Sequence, residues 1–139
     1  MTAGELVKAV TSWAAGRADV VSVALVGSRA RGDARLDSDV DFVIVCARPE
    51  LYLQELTWIS RFGVARAVSI EDWGNVQSVR AFYSGGPEAE YGITSTEWVS
   101  FPLDEGTVTV LQNGVIVLLD RDGSLTRAVE SVFRNDSYT

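Results

Sequence analysis

The sequence predicts an α/β (α+β) fold. Three observations support it: helical apolar stripes near both ends, short Val- and Ile-rich runs between them, and Gly, Pro or acidic turn residues at most junctions. At 139 residues and 47% hydrophobic, the chain is expected to form one domain with a real core. Thr2-x-x-Glu5 has the form of a capping box, and Leu6, Val7, Val10, Trp13 and Ala14 recur at helical spacing, which places a first helix at about residues 3–16. The Val-rich stretch 19–26 predicts a strand that delivers Gly27-Ser28 to the end of a sheet, where Ser28 starts a short helix running to about Gly32. Residues 40–46 predict a second, buried strand, apolar from Phe42 onward. Pro49 suits the first turn of a helix over 50–61, with Leu51, Leu53, Leu56 and Ile59 mostly inward and Gly63 as its end. Residues 64–70 read as a third strand, and the runs 76–83 and 88–95 around Ser84-Gly-Gly-Pro87 as a hairpin. Asp104 is placed to cap a short amphipathic segment that reaches Gln112 and stops at Asn113-Gly114. A short apolar strand at 115–119 and a terminal helix from Leu125 to Phe133 follow, with Leu125, Val129, Val132 and Phe133 facing inward. The last residues, 135–139, are expected to fray.

Composition removes much chemistry. The chain has no histidine, which excludes Ser-His-Asp and Cys-His catalysis and every His-containing zinc site. Its single cysteine, Cys46, allows no internal disulfide and is expected to pack as a small hydrophobe at the end of its strand. With 19 acidic against 12 basic residues the net charge is −7, which weighs against gripping a polynucleotide, since that depends on a positive surface. No apolar run is long enough to span a membrane, and Glu5 and Lys8 interrupt the start, so neither a span nor a signal peptide is expected and the protein is placed in the cytoplasm.

The chemistry-bearing segment runs from Gly27 to Val45. Gly27-Ser28 is followed, after ten intervening residues, by Asp39-Val40-Asp41 at the head of the apolar strand. Alternation along a strand puts Asp39 and Asp41 on one face and Val40, Phe42 and Ile44 on the other. Two carboxylates on one face repel unless a cation sits between them, and oxygen ligands open to substrate suit Mg²⁺. Gly27 lets the backbone come close without a Cβ, and Ser28 adds a hydroxyl and an amide. An EF-hand reading fails because Phe42 stands where the loop glycine belongs and Arg48 where the bidentate glutamate belongs. A P-loop reading fails because Asp33 stands where the phosphate-binding lysine belongs.

With Gly-Ser, this spacer and Asp-x-Asp ahead of an apolar strand, the chain resembles the nucleotidyltransferases of the polymerase β superfamily. It is most similar to the small Gly-Ser-x-Ala-Arg-Gly members, minimal and antibiotic-type. The resemblance implies a nucleotidyltransferase domain, expected here as a single domain over residues 1–139 with a mixed, twisted sheet of about five strands flanked by helices. Related antibiotic enzymes commonly carry an extra helical domain for the acceptor, and no separate helical substrate domain is expected here. It implies two Mg²⁺ ions held by Asp39, Asp41 and a third carboxylate from a neighbouring strand. Glu90 is assigned that place and also the acceptor's proton, with Glu71 or Asp72 as substitutes. Gly27 and Ser28 would hold the β and γ phosphates, helped by Arg31 and Arg29. The implied reaction is AMP transfer from ATP to the hydroxyl of a small, antibiotic-like acceptor. Two other readings stand beside it: an antitoxin-type minimal nucleotidyltransferase that binds or adenylylates a helical partner protein, and a noncatalytic nucleotide-binding module. A homodimer is a further way to complete the acceptor pocket. Trp58, Trp73 and Trp98 are available to stack on a ring, although aromatics in a chain of this size more often serve the core.

Overall fold

A computed structural model describes residues 1–134, so the expected fraying of 135–139 lies outside the described residues. The first helix, α1 (Ala3–Ala15), starts with the predicted capping box: Thr2 accepts from the Glu5 amide and Glu5 from the Thr2 amide. Strand β1 (Val20–Val26) leads into the one-turn helix α2 (Ser28–Arg31), and β2 (Val40–Cys46) follows the intervening loop. Next come α3 (Pro49–Gln54), a 3-10 turn at Thr57–Arg61, and the strands β3 (Ala65–Asp72), β4 (Gln77–Tyr83) and β5 (Glu88–Thr94). A second 3-10 turn (Thr96–Val99), α4 (Glu105–Gln112), β6 (Val115–Asp120) and α5 (Ser124–Phe133) complete the order.

The strands form one mixed sheet in the order β3-β4-β5-β2-β1-β6. Only β2 and β5, among the described residues, pair in parallel; every other neighbouring pair is antiparallel. Among the described residues the sheet has six strands, in keeping with the expected mixed sheet of about five, and the predicted 115–119 strand pairs with β1 as an edge strand. One face packs Phe42, Ile44, Val79, Tyr91 and Ile93 against α1, α3 and the first 3-10 turn. On the other face, Ala24, Val26, Val43 and Val45 pack against α4, α5 and the second 3-10 turn. Towards β4 and β3 that second face turns polar, with Ser78, Arg80, Glu71, Glu88 and Glu90 at successive register positions. The sheet thus changes from core to site along a single face.

Two expectations about helices need correction. The helix predicted over 50–61 is split, since Glu55 adopts an extended conformation at φ −127° and ψ 110°. On a continuous helix Tyr52 and Trp58 would point about 120° apart. The break sends both rings inward, where Trp58 Nε1 donates to the Tyr52 carbonyl at 3.0 Å. Leu51 is consequently exposed rather than inward. In α5 the buried stripe is Leu125, Ala128, Ser131 and Val132, and Phe133 falls one residue past it, facing solvent.

Tyr91 ties the first core together. Its ring stacks on Phe42 at 5.3 Å between centroids and meets Trp58 edge-on at 5.0 Å. Tyr83 donates its hydroxyl proton to the Ile59 carbonyl at 2.9 Å, which leaves Tyr91 to donate to Tyr83 at 2.8 Å. Tyr91→Ala removes both the packing and the buried relay. It is expected to cost about 3–5 kcal/mol of unfolding free energy, measured by urea titration.

Candidate active site

The site begins at the junction of β1, α2 and β2. Val26, the last residue of β1, pairs with Asp41, so Gly27 lies directly beside that carboxylate. Gly27 has φ 74° and ψ −155°, a region that only glycine enters freely, and a Cβ there would collide with Asp41 Oδ2. The glycine therefore makes room for an acid as well as a turn. Parallel pairing then sets Asp41 opposite Glu90, and strand alternation adds Asp39 on the same face. One oxygen from each of Asp39, Asp41 and Glu90 lies within 4.8 Å of the others, and all three residues are part-buried. Burial, followed by the negative charges of Asp39 and Glu90, raises the Asp41 pKa to about 6. Ser78 donates its hydroxyl to Glu90 Oε1 at 3.2 Å and helps to fix that side chain.

The predicted arginines have structural partners. Arg29 donates through Nε to the Asp39 carbonyl at 3.2 Å and through Nη2 to the Ser38 carbonyl at 2.7 Å, holding the loop that presents the carboxylates. Arg31 bonds Asp33 at 3.2 Å and the Asn113 carbonyl at 3.1 Å, where Gly114 lets the chain pass close to it. Of the substitutes for Glu90, Asp72 accepts the Gly74 amide at 2.9 Å within a turn. Glu71 reaches the cluster only through an arginine.

That arginine, Arg80, is the site residue that sequence reading missed. Its Nη1 donates to Asp39 Oδ2 at 3.0 Å and to Glu88 Oε1 at 2.6 Å, its Nε to Glu71 Oε1 at 3.2 Å, and its Nη2 to Glu90 Oε2. Hydrogen bonding, to Glu88 foremost, holds its pKa above the ordinary arginine value. The hairpin sets Arg80 directly opposite Glu90, one residue off the register that counting outward from the Ser84–Pro87 turn would give, because Tyr83 pairs with Pro87 and the turn is one residue shorter.

Beside the carboxylates opens a cavity of about 610 Å³. Asp41 and Glu90 form part of its wall, Val43, Trp98 and Val110 line its apolar side, and Trp73 from the β3–β4 turn stands at its edge. Trp58 and Trp98 are buried in the two cores, whereas Trp73 is 63% exposed.

A mixed sheet that brings an Asp-x-Asp pair and a third carboxylate beside a Gly-Ser turn is the arrangement that the resemblance to the nucleotidyltransferases implies. The model of the nucleotidyltransferase domain family matches residues 6–77, just over half of the chain, and the chain belongs to that family. The matched segment contains Gly27, Ser28, Asp39 and Asp41; Arg80 and Glu90 lie beyond it. In fold, the chain is similar to an aminoglycoside 6-adenyltransferase from Bacillus subtilis, with a TM-score of 0.52 and 12% identity over 67% of this chain. The match spans 36% of that protein's length. No curated protein matches the chain in sequence. Among the described residues no helix is long and apolar enough to cross a membrane.

Proposed function

We propose that this domain transfers a nucleoside monophosphate, AMP from ATP in the first instance, to a hydroxyl of a small-molecule acceptor and releases pyrophosphate. The observation that carries this reading is the convergence of Asp39, Asp41 and Glu90 beside Gly27-Ser28, at the mouth of an open cavity. Three hard, anionic oxygen donors facing an anionic substrate fit Mg²⁺ better than a soft metal. Asp39, Asp41 and Glu90 are the residues that would hold it, as two ions on the family pattern. When bound, the metal supplies neutralisation of the triphosphate charge and stabilises the attacking and leaving oxygens of an in-line displacement.

The chain's own residues do the rest. Gly27 and Ser28 bring backbone and a hydroxyl close to the phosphates without a side-chain barrier. Glu90, in the cavity wall, takes the acceptor's proton as the new P–O bond forms and the bond to the pyrophosphate oxygen breaks. Asp41 is mostly ionised at neutral pH and so ready to act as a ligand. The charged side chains in the cavity wall are Asp41, Glu90 and Asp104, all acidic, which favours a neutral or cationic acceptor. An antibiotic-like amino sugar has that chemistry, and the aminoglycoside adenyltransferase of similar fold supports the choice. A cytoplasmic location would supply both ATP and Mg²⁺.

The test is to incubate the protein with Mg²⁺, each of the four nucleoside triphosphates and a panel of aminoglycosides. Acceptor-dependent pyrophosphate release, together with a product heavier by one AMP, is the expected result. Failure with every nucleotide and acceptor of the panel would count against this acceptor class. A further prediction concerns Trp73, placed to stack on a planar group entering the cavity. Trp73→Ala is expected to weaken nucleotide binding in calorimetry by about 1–2 kcal/mol, with unfolding free energy unchanged within about 0.5 kcal/mol.

A further inference from the structure

Two of the three carboxylates proposed to hold metal already share a cation that belongs to the chain. Arg80 contacts both, Asp39 and Glu90, through its two terminal nitrogens. A guanidinium bonded to both carboxylates engages Asp39 Oδ2 and Glu90 Oε2, oxygens that an ion shared by the two would draw on. The remaining contacts of Arg80, to Glu71 through Nε and to Glu88 through Nη1, involve carboxylates outside the triad. The Arg80 side chain is only 22% exposed, so it does not swing freely into solvent.

We propose that Arg80 is a built-in competitor for the metal: it neutralises the empty carboxylate cluster and must release Asp39 and Glu90 before a divalent cation can bind. This inference rests on the metal reading above. Glu71 and Glu88 provide the position to which the displaced guanidinium retires, which explains why it is held by four carboxylates when two would hold it in the triad. The exchange has two consequences. It keeps the acidic cluster from repelling itself apart while empty, and it weakens metal binding in the nucleotide-free protein, because every bound ion must first break two charge-assisted hydrogen bonds. The residue acts on the site through its carboxylates, as a positioning residue.

The experiment is titration of Mn²⁺ into nucleotide-free protein, followed by loss of the free-ion electron paramagnetic resonance signal, for the parent, Arg80→Gln and Arg80→Lys. Arg80→Gln is expected to bind Mn²⁺ at least about tenfold more tightly than the parent. Arg80→Lys keeps the charge but not the forked geometry and is expected to fall between the two. It also supplies the comparison if Arg80→Gln does not fold. In EDTA the melting temperature of Arg80→Gln should lie below that of the parent, and Mn²⁺ should restore it. Equal Mn²⁺ affinity in parent and variants would overturn the competition while leaving the metal reading intact. No Mn²⁺ binding by parent or variants would overturn both.

Discussion

Asp41→Asn is expected to lower the turnover of nucleotidyl transfer by about 10³-fold or more, while leaving the empty protein at least as stable as its parent at neutral pH. The activity loss follows from removing one anionic ligand: metal stabilisation of the transition state is worth several kcal/mol, and about 4 kcal/mol corresponds to 10³ in rate. The stability gain follows from the sign of the Asp41 pKa shift. Because burial and the neighbouring Asp39 and Glu90 raise its pKa from 3.8 to about 6, the folded protein holds this proton more tightly than the unfolded chain. Its contribution to stability is thus fully present below about pH 4 and is lost as pH rises through 6. Above that, the ionised carboxylate costs the empty fold about 1 kcal/mol once its partial solvent exposure is allowed for. Asparagine removes that cost, so the difference in unfolding free energy between variant and parent should grow between pH 4 and pH 7. A variant that is both inactive and markedly less stable at pH 7.5 would show that Asp41 supports the fold rather than a ligand.

Gly27→Ala is the second large effect, and it tests how turn and carboxylate are joined. The glycine's φ of 74° and ψ of −155° cost a residue with a Cβ about 1–3 kcal/mol. The added methyl also has to displace the Asp41 carboxylate, which occupies its space. The expected outcome is a drop of about 2 kcal/mol in unfolding free energy and a fall in transfer rate of about 10²-fold. Gly32→Ala is the control. Gly32 also has a positive φ, of 85°, but no atom lies within 4 Å of its would-be Cβ. Strain alone should therefore reduce stability modestly and leave transfer close to that of the parent. If both variants lose the same activity, the close approach of Gly27 to Asp41 has no catalytic meaning.

The elements most legible in the sequence were those whose local signals agreed with their tertiary role. The capping box of α1, the apolar run of β2 and the Asp104 cap of α4 all appear where patterning placed them. The face shared by Asp39 and Asp41 was legible because strand alternation is fixed at two residues. The break after Gln54 was not, because it answers a demand of the core: Tyr52 and Trp58 both reach the same sheet face, although a regular helix would point them about 120° apart. The position of β6 beside β1, and not merely near it, likewise depends on long-range pairing that a short apolar run does not specify.

At the site, Glu90 was reachable from the alternation of its strand, but its adjacency to Asp41 depends on β2 and β5 pairing in parallel. Nothing local encodes that pairing. The roles of Arg29 and Arg31 were harder to read than their charge suggested. Beside a turn proposed to hold phosphates, Arg29 also bonds the carbonyls of Ser38 and Asp39, and Arg31 bridges to Asp33 and Asn113, contacts that depend on how the loop and β6 are placed. Arg80 escaped notice for the opposite reason. It sits in a run that reads as an ordinary strand, and only the hairpin register reveals that it faces four acids.

The central claim is that Asp39 and Asp41 form a metal-dependent nucleotide site. Its most direct test is calorimetric titration of ATP with Mg²⁺ into the parent and into the Asp39→Asn/Asp41→Asn double variant, each repeated in EDTA. The account predicts binding by the parent that disappears in EDTA and is lost or weakened at least about tenfold in the double variant. Equal affinity in parent and variant, or binding by the parent that survives EDTA unchanged, would contradict it.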